Sequence, residues 1–175
     1  MLLPLVAIQL KIECRSFNKP TMSRKNNRMK NKIIDWNNGN FSFQNVDIDA
    51  LNRVYECICA DFNFTPGRIS FQLTSDEELW KINVKHLDHN TYTDVITFSY
   101  STPQIVSGEI FISVDRAVEN ATMLNISPGD EILRYAVHGI LHLCGLNDHS
   151  KVEREAMRMQ EDLYLKKYNV FHVER

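Results

Sequence analysis

Two histidines four residues apart, His138 and His142, are the residues with the clearest chemical potential in this sequence. Four residues make a little over one helical turn, so both imidazoles project from one face of a helix and can bind one ion. Gly145 favours the end of that helix, after which the chain returns with Asp148 and His149. We predict a metal held by His138, His142 and His149, with a fourth position open for water.

An open coordination position predicts a hydrolytic centre with one Zn²⁺ per chain as the default. Zinc held this way lowers the pKa of a bound water to about 7 and polarises a carbonyl or phosphoryl oxygen. His138 and His142 are therefore predicted to be catalytic as well as metal-binding. The alternative, polar residues on a core helix, is disfavoured because three of the six histidines fall within twelve positions. The metal itself stays open, since three imidazoles also accept nickel, copper or iron.

Gly139 follows the first histidine, at the position where the zinc-protease helix H-E-x-x-H carries its general base. The missing carboxylate disfavours hydrolysis of a peptide. A base from elsewhere in the fold could replace it, so a zinc hydrolase of another substrate remains an alternative.

Five helices and several strands are predicted around these residues. Helical spacing and capping signals predict helices at 47–62, 75–85, 115–124, 127–144 and 150–167. Alternating or β-branched runs predict strands at 31–36, 41–44, 69–73, 94–100 and 107–113, the last two paired. Pro66-Gly67 predicts a break in the chain. We expect an α+β domain with a mixed sheet, with the metal site on a C-terminal helix and the loop after it.

The length of 175 residues and a hydrophobic content of 43% predict one folded domain. We place it at 30–175 and interpret residues 1–29 as an N-terminal extension, with Met22 and Met29 as alternative starts. Four cysteines without paired spacing favour a reducing cytoplasm. The apolar run at 1–10 is too short to cross a bilayer, so no membrane partner is expected.

The charge of the chain is unevenly distributed. The sequence has 20 basic and 22 acidic residues, and its first thirty residues hold seven of the basic and one of the acidic ones. The remainder has 13 basic and 21 acidic residues, a formal charge of −8. Proteins that bind nucleic acid mainly by neutralising phosphates are basic, so any RNA site on this domain must be local.

Residues 138–145 read H-G-I-L-H-L-C-G and are followed by Asp148-His149. This stretch resembles the H-G-x-L-H-L-x-G-x-D-H signature of the YbeY endoribonucleases, a family of ribosomal RNA maturation factors. Residues 93–98, T-D-V-I-T-F, with Asn83 before them, resemble that family's segment ending in T-D-V-L-S-F, and Gly108-Glu109-Ile110 resembles its G-D-I strand. The order and spacing of these pieces cover about 32–168.

The resemblance implies a central four-stranded sheet and a metal-dependent endoribonuclease that prefers single strands. It also implies roles in 3′-end maturation of small-subunit ribosomal RNA and in ribosome quality control, with that RNA and the small subunit as partners. A non-catalytic, zinc-containing ribosome assembly factor remains an alternative, favoured by the acidic domain. The oligomeric state is left open.

Two departures from the family pattern affect the predicted site. Two residues separate Gly145 from Asp148 where the family has one, so the last ligand is His149 with a gap and Asp148 without it. We prefer His149, because a neutral imidazole repeats the other two ligands and Asp148 can then orient a ring.

The second departure is an arginine of the family that falls at Leu87 by simple counting. Lys85, His86 or Arg68 could replace its grip on a phosphate. Asp94 and Glu109 are further candidates to line the site, each with a structural alternative.

Overall fold

The computed structural model describes residues 33–41, 46–87 and 90–167. Its strands are β1 (Ile34–Asn37), β2 (Thr65–Thr74), β3 (Val95–Ser99) and β4 (Ile105–Ser113). Its helices are α1 (Ile48–Asp61), α2 (Asp76–Leu87), α3 (Val114–Leu124), α4 (Pro128–Leu143) and α5 (Lys151–Lys167). The predicted extension at 1–29 lies outside the described residues, as do 42–44 of the strand predicted at 41–44, so both stay predictions.

The four strands form one mixed sheet in the order β1-β2-β4-β3. β2 pairs in parallel with β1 and with β4, whereas β3 pairs antiparallel with β4. The parallel β2–β4 pair requires a crossover, which α2 and β3 supply. The α+β class, the mixed four-stranded sheet and the five helices are confirmed for the described part of the chain.

The prediction of a chain break at Pro66-Gly67 was wrong, because β2 runs through both residues from Thr65. Its pairing with β4 shifts register between Pro66 and Ile69, which is typical of a bulge. The buried hydroxyl of Tyr55 serves this irregular stretch, accepting from the Gly67 amide at 3.0 Å and donating to the Val106 carbonyl at 2.7 Å. Backbone groups around the bulge thereby find partners.

Helix α4 lies against the sheet at unusually close range. A Cβ atom at Gly139 would lie 2.8 Å from Cγ2 of Ile110 on β4. One turn on, a Cβ atom at Gly108 of β4 would lie 2.7 Å from Cδ2 of Leu143. Two glycines, one on each element, therefore let α4 pack directly on β4. This packing sets the distance from the sheet to the face of α4 that carries the two histidines.

The ends of α4 and α5 follow the predicted capping signals. The Ser127 hydroxyl accepts from the Asp130 amide at 3.1 Å, with proline at the start of α4. Ser150 and Glu153 exchange two hydrogen bonds at the start of α5, a capping box. Among the helices of the described ranges, none has the length and apolar character to cross a membrane.

Candidate metal centre

The two histidines of α4 converge as their spacing predicts. Their Nε2 atoms are 2.9 Å apart, and the ring planes lie at 89° with centroids separated by 4.4 Å. Both side chains are mostly buried, His138 at 19% exposure and His142 at 26%. The four-residue spacing on a helix therefore brings two imidazole nitrogens to one point.

A carboxylate reaches the same point from the loop after α4. Gly145 has a φ of +95°, a conformation in which glycine is favoured, and it turns the chain back toward the helix. Asp148 then places one carboxylate oxygen 3.8 Å from Nε2 of His138 and the other 3.8 Å from Nε2 of His142. One atom from each of these three residues lies within 4.8 Å of the other two.

The other nitrogen of each ring fixes its protonation. Nδ1 of His142 lies 2.8 Å from the Leu146 carbonyl oxygen, which can only accept, so that nitrogen donates. Nδ1 of His138 lies 2.8 Å from Oε1 of Glu161 and donates to the carboxylate. In the neutral rings both Nε2 atoms then carry lone pairs that face each other, an arrangement that becomes favourable when the two nitrogens share a proton or a metal ion. Two nitrogens and a carboxylate suit zinc and related transition metals.

The two rings differ in their affinity for a proton. Burial acts to lower the pKa of His138, but the hydrogen bond and charge of Glu161, helped by Asp94 and Asp148, outweigh it and the pKa is raised. Burial lowers the pKa of His142, and the charge of His138 lowers it further. His142 is therefore the readier of the two to present a bare nitrogen.

His149, the predicted third ligand, is exposed and is not part of this group of three. Nη1 of Arg154 donates to the carbonyl oxygens of Asp148 at 3.2 Å and His149 at 2.7 Å, which holds the loop by its backbone. Asp148, the alternative that follows from alignment without a gap, supplies the nearby oxygen. Ligation by His149 stays a prediction.

A cleft of about 480 Å³ opens beside His138 and Asp148. Among the described residues, its charged lining comprises four carboxylates and three arginines besides His138: Asp94, Glu131, Asp148, Glu161, Arg134, Arg154 and Arg158. The centre thus borders a space large enough for part of a polymeric substrate.

Glu161 and Glu131 are buried carboxylates of this cleft that the sequence analysis missed. Glu161 holds His138 with Oε1 and accepts from Nη1 of Arg134 with Oε2 at 3.0 Å. Glu131 is 3% exposed, and burial raises its pKa. A signal for Glu161 existed, because it interrupts the buried face of α5 formed by Met157, Tyr164 and Leu165.

The secondary candidates separate into residues inside and outside the cleft. Asp94 lines it, with Oδ1 accepting from the Val95 amide at 3.0 Å. Glu109 instead accepts from the Tyr100 hydroxyl at 2.9 Å. The described residues that line the cleft do not include Glu109, Arg68, Lys85 or His86.

Comparison with known proteins supports the resemblance seen in the motif. The model of the family described as Endoribonuclease YbeY matches residues 26–169. An Endoribonuclease YbeY from Christiangramia forsetii is 43% identical over 131 residues, covering 75% of this chain and 89% of the relative. One from Flavobacterium johnsoniae is 45% identical over 109 residues, covering 62% and 76%.

The fold has a counterpart among solved structures. A solution structure of a protein from Thermotoga maritima has a TM-score of 0.50 and 24% identity, covering 78% of this chain and 91% of that one. That likeness supports the fold alone. The family match over most of the sequence carries the assignment, and this chain belongs to the YbeY endoribonuclease family.

Proposed function

We propose that this protein is a metal-dependent endoribonuclease that cleaves single-stranded RNA during 3′-end maturation of small-subunit ribosomal RNA and in ribosome quality control. The observation that carries the proposal is the convergence of His138, His142 and Asp148 at one edge of the cleft. The relatives named Endoribonuclease YbeY support RNA as the substrate. We therefore propose that the protein acts in the cytoplasm, with the small ribosomal subunit as its partner.

Zinc is the proposed metal, one per chain, and when bound it supplies a Lewis acid for a phosphoryl oxygen and a water of lowered pKa. His138 and His142 hold it through Nε2. Glu161 and the Leu146 carbonyl keep both rings oriented through Nδ1. For the third ligand we propose Asp148, because its carboxylate already faces both Nε2 atoms. His149 is the competing prediction.

The position of Gly139 argues against the zinc-protease alternative. Its α-carbon faces Ile110 of the sheet, so a carboxylate there would point away from the cleft. Any base for water must come from another position, and the cleft offers Asp94, in the loop before β3, and Glu131, two turns before Gly139 on α4.

Cleavage of a labelled single-stranded RNA by the purified protein, with zinc measured in the same preparation, tests the function. We expect one zinc per chain, activity lost on chelation and activity restored by added zinc. Cleavage that persists after the metal is removed would contradict the mechanism. Stoichiometric zinc without RNA cleavage would favour the assembly-factor alternative, and turnover of peptides without RNA cleavage would favour the peptidase alternative.

Paired variants identify the third ligand. Asp148→Ala should lower zinc affinity and cleavage strongly, whereas His149→Ala should change both little. The reverse ranking would assign the ligand to His149. Circular dichroism of both variants checks that the loop change leaves the fold intact.

A further inference from the structure

The three arginines of the cleft are used differently. Arg134 is engaged by carboxylates, Glu161 at 3.0 Å and Asp162 at 2.7 Å, and its side chain is 17% exposed. Arg154 donates to the backbone of the loop that carries Asp148. Arg158 lines the same cleft, is exposed, and makes no hydrogen bond or ion pair with any described residue. Of the three arginines described in the cleft, it is the one whose donors remain available to a ligand.

Helix α5 directs Arg158 toward the metal centre. Arg158 lies four residues after Arg154, which holds the ligand loop, and three residues before Glu161, which holds His138. Residues at these spacings share one helical face. The guanidinium therefore stands on the face of α5 that contributes both supports of the centre.

The carboxylates of the cleft repel the phosphates of RNA, so an arginine with available donors is needed there to bind the strand. Its four carboxylates outnumber its three arginines, and two of those arginines are committed to protein acceptors. A strand that places one phosphate at the metal must bring its neighbouring phosphates past these carboxylates. A planar guanidinium can bind phosphate oxygens with two parallel hydrogen bonds.

We propose that Arg158 binds a phosphate of the RNA next to the one being cleaved. The inference rests on the proposed function and deepens it by naming a substrate-binding residue. Arg158 positions the strand and takes no part in the bond-breaking step. An acidic domain would thus bind RNA through a positive charge placed locally, at the edge of the cleft.

Arg158→Gln, compared with Lys166→Gln, tests the proposal. Lys166 is an exposed cation on the same helix that does not line the cleft, so its removal costs the same formal charge. We expect Arg158→Gln to raise KM for a labelled, unstructured polyuridine RNA about tenfold, with kcat nearly unchanged. Lys166→Gln should leave both constants close to wild type, and Arg158→Lys should fall between.

The salt dependence of RNA binding gives a second readout. The logarithm of affinity falls with the logarithm of salt by about 0.7 for each phosphate contact to a single strand. The slope should become shallower by about this amount in Arg158→Gln and stay unchanged in Lys166→Gln. Equal KM values and equal slopes in the two variants would overturn the proposal. A wild-type protein that does not cleave RNA would instead reject the proposed function.

An indirect role through Glu131 can be separated from direct binding. The charge of Arg158 acts to lower the pKa of Glu131, so losing the arginine could disturb the cleft by way of that carboxylate. In a Glu131→Gln background, direct binding predicts the same loss of affinity on Arg158→Gln. Disappearance of the effect in that background would assign Arg158 to charge compensation and overturn the proposal.

Discussion

The two faces of α4 are both largely buried, yet they hold different chemistry. The face on the sheet presents Gly139 and Leu143, which pack against Ile110 and Gly108 of β4. The opposite face presents titratable or hydrogen-bonding side chains at helical spacing: Glu131, Arg134, Tyr135, His138 and His142. The contrast teaches that burial alone does not mark the site. A stripe of polar residues on an otherwise buried helix does.

The comparison predicts that stability and metal chemistry can be changed separately. Substitutions toward the sheet should alter the free energy of unfolding and leave zinc affinity nearly intact. Substitutions toward the cleft should alter zinc affinity and cleavage, because the proposed metal ligands and the groups that orient them lie there. The four variants below test this separation in order of decreasing effect.

His142→Ala should have the largest effect. Removal of one of two helical nitrogens should lower RNA cleavage about a thousandfold or more and abolish stoichiometric zinc, since the metal contributes several kcal/mol to the transition state. When both proteins are compared without metal, the variant should unfold at nearly the same denaturant concentration as the wild type, because bound zinc would itself stabilise the folded wild type. A variant that retains zinc and activity would contradict the claim that the cleft face of α4 binds the metal.

Gly108→Ala should have the largest effect on stability. A Cβ atom there would lie 2.5 Å from the Phe98 carbonyl oxygen and 2.7 Å from Cδ2 of Leu143. Since the carbonyl belongs to the neighbouring strand and cannot rotate away, we expect a loss of about 3 kcal/mol in the free energy of unfolding. Urea denaturation measures the loss.

Zinc affinity of folded Gly108→Ala protein is the accompanying readout. It should be close to wild type. A large fall in zinc affinity at preserved stability would show that the sheet face sets the geometry of the centre more directly than its packing indicates.

Glu161→Gln should lower zinc affinity by about 10- to 100-fold, the usual cost of removing a carboxylate that orients a ligating histidine. Competition with a chelator of known affinity measures this. Asp162→Asn is the matched control, because Asp162 also accepts from Nη1 of Arg134, at 2.7 Å, while His138 is held by Glu161. Equal zinc affinity in the two variants would mean that the carboxylate acts only on Arg134.

Ser127→Ala should have the smallest effect, about 1 kcal/mol of stability, because it removes the hydroxyl that caps α4 at the Asp130 amide. Ser127→Asp retains an acceptor and should stay near wild type in thermal denaturation. Neither change should shift zinc affinity. A shift comparable to that of Glu161→Gln would show that fraying of the helix start reaches the metal centre.

Much of the fold was predictable because its signals are local. Capping residues at Ser127 and Ser150 place the starts of α4 and α5, and the structure has both caps. The exception was Pro66-Gly67, where a turn signal proved to be a bulge inside β2. That stretch depends on the Tyr55 hydroxyl, twelve residues away in the chain, which no local pattern reveals.

The candidate site was predictable only in its helical half. The spacing of His138 and His142 dictates their convergence, because helix geometry fixes neighbours four residues apart. The choice between Asp148 and His149 depends on how the chain turns after Gly145, and adjacent residues in a loop point in different directions. Arg154 holds that loop by two carbonyls, an interaction without a sequence signature.

By itself, then, the sequence determined the α+β elements, the helical histidine pair and the acidic charge of the domain, which restricts any RNA site to a local feature. Only the tertiary structure decided which carboxylate faces the pair, that Glu161 reaches His138 across 23 residues, and that Arg158 lines the cleft without a hydrogen bond or ion pair to a described residue. The physical reason is the distance along the chain over which each kind of interaction acts. Backbone hydrogen bonding and side-chain periodicity act within a few residues, whereas the docking of α5 on α4 arises from packing between segments that are distant in the chain.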